Sequence, residues 1–224
     1  MPAYQLTMPE HYNIFKSLSP IVTLGEHSFS VGILFLMMLG FYVFMVSMGA
    51  KPLLSMIAAL AYALGSYNII IIAVGHITKA WAMAMIAPIL GGMILVFRRK
   101  WLAGAVMFTL SLGLQIGFNH IQITYYTMLA ALILGLCYLI YAIKEKTIKD
   151  FALGGGMLVL CAAIAFLPNS SHFKLNSEYV KYTMRGGSEL TVKPNENTES
   201  QNNDKGLSID YAYAWSYGIG ESFT

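Results

Sequence analysis

Five stretches of this chain, residues 28 to 50, 52 to 75, 80 to 97, 101 to 142 and 151 to 173, contain no Asp, Glu, Lys or Arg. An ordinary soluble domain carries about 25% charged residues; here the figure is 11% of 224, with 57% hydrophobic residues. A helix needs about 20 apolar residues to cross a bilayer, and inside the hydrocarbon each segment must satisfy its own backbone polar groups. The sequence therefore predicts an all-α integral membrane protein. Its core is a bundle of about six transmembrane helices, near 29 to 49, 53 to 74, 80 to 97, 102 to 119, 123 to 142 and 151 to 168, with a partly helical external loop region. The first expected partner is the lipid bilayer. A net charge of +3, from 14 basic and 11 acidic residues, is too small and too dispersed for a nucleic-acid surface.

Orientation follows from the short connections, because Lys and Arg are retained on the cytoplasmic side. Lys51 follows the first expected span, Arg98, Arg99 and Lys100 follow the third, and Lys144, Lys146 and Lys149 follow the fifth. Those loops are expected inside. By parity the external parts are residues 1 to 28, the turns near 75 to 79 and 118 to 122, and the loop segment 169 to 224. Residues 1 to 28 are polar and contain no signal-peptide h-region. An external N-terminus without an export element reads most simply as the start of a fragment, truncated at both ends.

Within this frame, residues 9 to 19 place Ile14, Phe15 and Leu18 on one helical face, as an interfacial helix or a plain loop. Gly65-Ser66-Tyr67-Asn68 interrupts the second span, which marks a helix contact or a local break. Small residues at Ala58, Ala59 and Ala61, at Gly91 and Gly92, and at Gly154 to Gly156 suit close backbone packing. Cys137 and Cys161 both fall in apolar runs, as buried free thiols rather than a disulfide. Residues 169 to 184 read as a helix, residues 194 to 206 as a polar linker, and Tyr211, Tyr213, Trp215 and Tyr217 alternate like a strand or an aromatic belt.

Polar chemistry converges on the outward face. One turn carries His76 and Lys79; the other carries Asn119, His120 and Gln122 and runs into Tyr125; Arg185 lies in the final loop. Imidazole, amide, ammonium and guanidinium groups together suit an anionic phosphate or diphosphate headgroup. The plainer alternative is that short loops are polar by necessity and that His76 and Asn119 cap helix ends. No phosphate-binding glycine loop, zinc motif, paired CxxC or dinucleotide fingerprint is present, so neither a cofactor nor a metal is expected. The spans also lack the interior ionisable groups that coupled transporters use.

Four separated strings add a resemblance: Gly75-His76-Ile77-Thr78-Lys79-Ala80; Asn119-His120-Ile121-Gln122-Ile123-Thr124-Tyr125-Tyr126; Tyr179 through Lys181, Tyr182 and Arg185 to Gly186; and Tyr211 through Trp215, Tyr217, Gly218 and Gly220 to Glu221. On these the chain resembles YfhO-family bacterial membrane proteins of the Bacteroidetes type. The resemblance implies a longer polytopic glycosyltransferase of the GT-C type in the bacterial cytoplasmic (inner) membrane. Such an enzyme moves a sugar from a polyprenyl-phosphate donor to a cell-envelope glycan acceptor at the outer face. In that chemistry a carboxylate handles the acceptor proton while cations stabilise the departing phosphate. His76, Lys79, His120 and Arg185 would serve the phosphate, and Tyr213, Trp215 and Tyr217 would stack on sugar or polyprenyl. The family's catalytic carboxylate would precede Met1, and neither Glu10 nor Glu26 sits in a matching motif, so the catalytic residue is unassigned. The competing readings are a transporter or flippase for a lipid-linked glycan and a non-catalytic membrane assembly protein.

Overall fold

A computed structural model describes residues 14 to 22 and 29 to 170, and among these residues there are helices and turns but no strand. The helices are α1 (Ile14–Val22), α2 (Phe29–Met48), α3 (Pro52–Ala63), α4 (Ser66–Ala73), α5 (Ile77–Ala84), α6 (Ile86–Phe97), α7 (Trp101–Gly117), α8 (Ile121–Lys144) and α9 (Ile148–Phe166), ending in a 3-10 turn, Leu167–Asn169. Of the expected helix at 169 to 184 only residues 169 and 170 are described, and the linker at 194 to 206, the aromatic string at 211 to 217 and residues 9 to 13 lie outside the described residues.

Four segments are long and apolar enough to cross a membrane: Ser30–Met48, Ile77–Phe97, Ile121–Lys144 and Ile148–Asn169. Pro52–Ala63 and Ser66–Ala73 make a fifth if their 44° bend is counted within one span. The fourth expected span is the difference. Helix α7 has only 17 residues, about 26 Å at 1.5 Å per residue, against about 30 Å of hydrocarbon.

Both irregular spans have local causes. At the first, Leu64 ends α3 and Gly65 turns the chain. The buried Asn68 donates from Nδ2 at 2.7 Å to the Tyr62 carbonyl, which also accepts the Gly65 N–H at 3.3 Å, so the amide braces the bend. The sequence left a contact and a break as alternatives, and this is a break closed by its own amide. At the second, Pro88 lacks the N–H that would reach Ala84, and its ring crowds that carbonyl; the helix is interrupted at Met85. Just before this break an amide arrives from another helix: fully buried Gln115 of α7 donates from Nε2 at 2.9 Å to the Ala82 carbonyl, which also accepts the Met85 N–H at 3.3 Å. A third fully buried amide, Asn169, donates from Nδ2 to Gly113 of α7 at 3.1 Å and to Ala165 at 3.0 Å.

Short connections fold the helices back on one another. At Gly49 and Gly75, φ is +94° and +85°, which glycine reaches without a Cβ clash. The Ala50 N–H then returns to Met45 O at 3.1 Å and the His76 N–H to Ile71 O at 3.0 Å, satisfying end carbonyls. Arg99, Asn119 and Lys146 take the same left-handed conformation without being glycine.

The α5–α6 span is the centre: 72% of its apolar window is buried, against 11% for α8. Ile33 and Met37 of α2, Trp81 of α5, Ile89 and Val96 of α6, Phe108 and Leu114 of α7, and Leu158 and Cys161 of α9 belong to one core cluster. Helices α6 and α7 approach almost backbone to backbone, since a Cβ on Gly92 would meet the Phe108 nitrogen at 2.7 Å and one on Gly104 the Val96 nitrogen at 2.7 Å. Among the small-residue faces, Gly91, Gly92 and Ala59 make close or buried contacts, whereas Gly155 and Gly156 face open space. From α1, Phe15 is buried against Gly113 while Ile14 is 62% exposed, so the two do not share a buried face.

The outward surface of the bundle is apolar. Leu53, Met56 and Ile57 of α3 and Met128, Leu132 and Ile133 of α8 are all more than half exposed. This same exposure corrects one expectation about the thiols. Cys161 is buried and free, but Cys137, on the lightly packed α8, is free and exposed.

Candidate functional site

The turns sort to two ends of the bundle. At one end Arg98 donates from Nη1 to the Ser47 carbonyl at 2.7 Å, and Arg99 pairs with Asp150. The turns after α2, α6 and α8 are thereby drawn together, as their shared basic character predicted. At the other end lie the turns before α5 and α8, and these carry the candidate site.

His76 and His120 occupy equivalent positions, each immediately preceding a helix, with neither side chain bonded to its helix end. Capping by His76 is therefore not the role the structure gives it. His76 is exposed and His120 half-buried. Burial holds the His120 pKa below the ordinary 6.5; its own backbone carbonyl works against this, and the positive fields of Lys79 and then His76 reinforce it. The Nδ1 atom of His120 is buried with no hydrogen-bond partner. Residues 44 positions apart in sequence are thus close enough to influence one another electrostatically. Lys79 is partly buried, with Nζ 5.4 Å from the centroid of the Tyr67 ring, a cation–π contact that fixes the ammonium at the mouth of the bundle.

The remaining sequence candidates divide. Asn119 forms the turn itself, with φ +57° and its N–H on Ile116 O at 2.9 Å, a conformation asparagine tolerates better than most residues. Gln122 donates from Nε2 to the Tyr126 hydroxyl at 3.1 Å, one turn along the same helix. Tyr125 is exposed and its ring lies 5.8 Å from that of Tyr126. No hydrogen bond or ring contact among the described residues joins Gln122 or Tyr125 to His76, Lys79 or His120. Arg185 and Trp215 lie outside the described residues.

Beneath this end sits a polar node that sequence reading did not single out. Thr127 of α8 donates to Ile123 O at 2.8 Å and accepts from Gln115 Nε2 at 3.0 Å, while the same Nε2 reaches Ala82 O. Facing a carbonyl fixes which end of the amide is nitrogen, and it leaves Gln115 Oε1 buried and unpartnered. The available signal was a lone amide, Gln115, in an otherwise apolar run. At the opposite, basic end, a cleft of about 680 Å³ opens among Arg98, Arg99, Cys137, Tyr138, Thr147 and Asp150.

The histidine end can bind an anion: it offers an ammonium and two imidazoles as donors, and a negative charge beside His120 would offset the positive field that helps hold its pKa down. It holds no carboxylate among the described residues, whose two acidic groups, Glu145 and Asp150, belong to the basic end. No protein-family model, curated protein or solved structure matches the chain.

Proposed function

We propose that the chain is the membrane-embedded part of a GT-C-type glycosyltransferase related to the YfhO family, and that its histidine end holds the phosphate of a polyprenyl-phosphate sugar. The observation that carries this reading is the convergence of Lys79 and His76 on a half-buried His120 whose Nδ1 atom is buried without a hydrogen-bond partner. Three basic groups held together repel one another, and a phosphate relieves that repulsion while accepting charge-assisted hydrogen bonds. The apolar exposed faces suit lipid, and counting the bent α3–α4 pair and the short α7 as crossings restores six spans. Positive-inside sorting then puts the Arg98–Lys100 end in the cytoplasm of a bacterium and the histidine end at the outer face, where a cell-envelope glycan accepts the sugar.

The test is transfer of radiolabelled sugar from a polyprenyl-phosphate donor by the full-length protein in membranes. Lys79→Ala and His120→Ala should each reduce transfer about 10- to 150-fold, the range for a charge-assisted contact of roughly 1.5–3 kcal/mol, with unchanged protein yield. Donor binding by a wild-type protein that shows no transfer, lost in these two variants, would instead make this a carrier. Full activity in both variants would reduce the cluster to turn polarity.

A further inference from the structure

The cleft at the basic end, on the opposite side of the bundle from the histidines, has the composition of a second binding site. We propose that it holds the phosphate of an anionic amphiphile, a phospholipid of the leaflet that borders this end. The inference needs only the helical bundle in lipid and does not depend on the transferase reading.

Three features of the cleft point to that ligand. Its volume of about 680 Å³ lies inside the roughly 300–1,000 Å³ range of small-molecule sites and is far larger than a bare phosphate requires. Its polar rim is cationic. Arg98 spends one N–H on Ser47 O and keeps the rest of its five donors, while the Arg99 charge is offset by Asp150. The surrounding segments 98 to 100 and 144 to 150 add up to six basic residues against two acidic ones, so the field at the rim stays positive. Hydroxyl donors from Tyr138 and Thr147 line the same space.

The third feature separates a lipid from a soluble phosphate compound. One wall of the cleft is a stack of aromatic rings, with Phe97 4.7 Å from Tyr138 and 5.1 Å from Phe151. That stack fixes the Tyr138 ring and offers an apolar surface beside the guanidinium. Beyond it, Leu136 and Ile133 continue along the exposed face of α8, a track on which an acyl chain can lie while its headgroup meets Arg98. Basic pockets between helices at the cytoplasmic side of membrane proteins take anionic headgroups for this combination of reasons.

Cys137 reports on occupancy, because it lines the cleft and is exposed while Cys161 is buried in the core. The experiment measures the rate of N-ethylmaleimide alkylation at each thiol by peptide mass spectrometry, on the full chain in dodecyl maltoside. Dioleoylphosphatidylglycerol, dioleoylphosphatidylcholine and inorganic phosphate are added in separate arms. Phosphatidylglycerol should slow Cys137 alkylation about tenfold at ten times its Kd, phosphatidylcholine and phosphate should not, and Cys161 should stay unreacted throughout. Arg98→Gln should shift the phosphatidylglycerol dependence about tenfold upward. Tyr138→Phe, which keeps the ring stack, should shift it in the same direction and guards against a folding defect in the arginine variant. Protection by inorganic phosphate as good as by the lipid would overturn the lipid assignment in favour of a soluble phosphate compound. Equal protection by both lipids, or protection by none of the three, would overturn the site.

Discussion

Adding one methyl group at Gly92 tests the packing on which the whole bundle rests. Its Cβ would stand 2.7 Å from the Phe108 nitrogen, 2.9 Å from the Phe108 Cα and 3.0 Å from the Gly104 oxygen, where ordinary contact begins at 3.4 Å. All three obstacles are backbone of α7, so no side chain can swing aside, and the helices must part by about 0.7 Å along a seam closed on both sides by glycine. Overpacking of this kind costs about 1–3 kcal/mol, and a rigid obstacle argues for the upper half. Against it, replacing glycine by alanine within a helix gains about 1 kcal/mol. Gly92→Ala should therefore destabilise by about 1–2 kcal/mol. Gly156→Ala meets nothing within 4 Å and keeps the propensity gain of up to about 1 kcal/mol. The buried thiol of Cys161 supplies the assay: with Cys137 blocked beforehand, a maleimide dye reports unfolding as the detergent-solubilised protein is heated. If Gly92→Ala melted at or above Gly156→Ala, the close approach of α6 and α7 would be wrong.

Two further outcomes concern the histidine end. Because the folded state holds His120 below 6.5, the unfolded chain takes up that proton first as the pH falls. The resulting stability is intact above 6.5 and lost between 6.5 and the lowered folded value; His120→Gln should flatten this part of a melting-temperature profile, and an unchanged slope would refute it. Asn119→Val should be less stable than Asn119→Gly by about 1–2 kcal/mol in the same thermal assay, because a β-branched residue pays the left-handed backbone cost that glycine avoids. Equal stability would mean that the φ of +57° is not needed by the turn.

The amino-acid sequence alone determined that the chain is helical and largely apolar, because charge-free runs of membrane-spanning length are a one-dimensional property. It also determined which turns share an end. Alternating Lys- and Arg-bearing connections imply the grouping that the Arg98–Ser47 and Arg99–Asp150 contacts display, and the same parity brought His76, Lys79 and His120 to one side. What parity could not supply was the face of each helix. Cys137 and Cys161 read alike in sequence, yet one faces outward and one faces the core, since a uniformly apolar helix carries no stripe to say which side packs. Tertiary structure alone decided that Gln122 turns to Tyr126 along its own helix and that Asn119 serves the turn. It also decided that Gln115 reaches Ala82, 33 residues away, beside the break at Met85. Such partners are set by where two helices cross. That crossing depends on how closely glycines 92 and 104 let the backbones approach, a three-dimensional fit to which no local pattern of residues points.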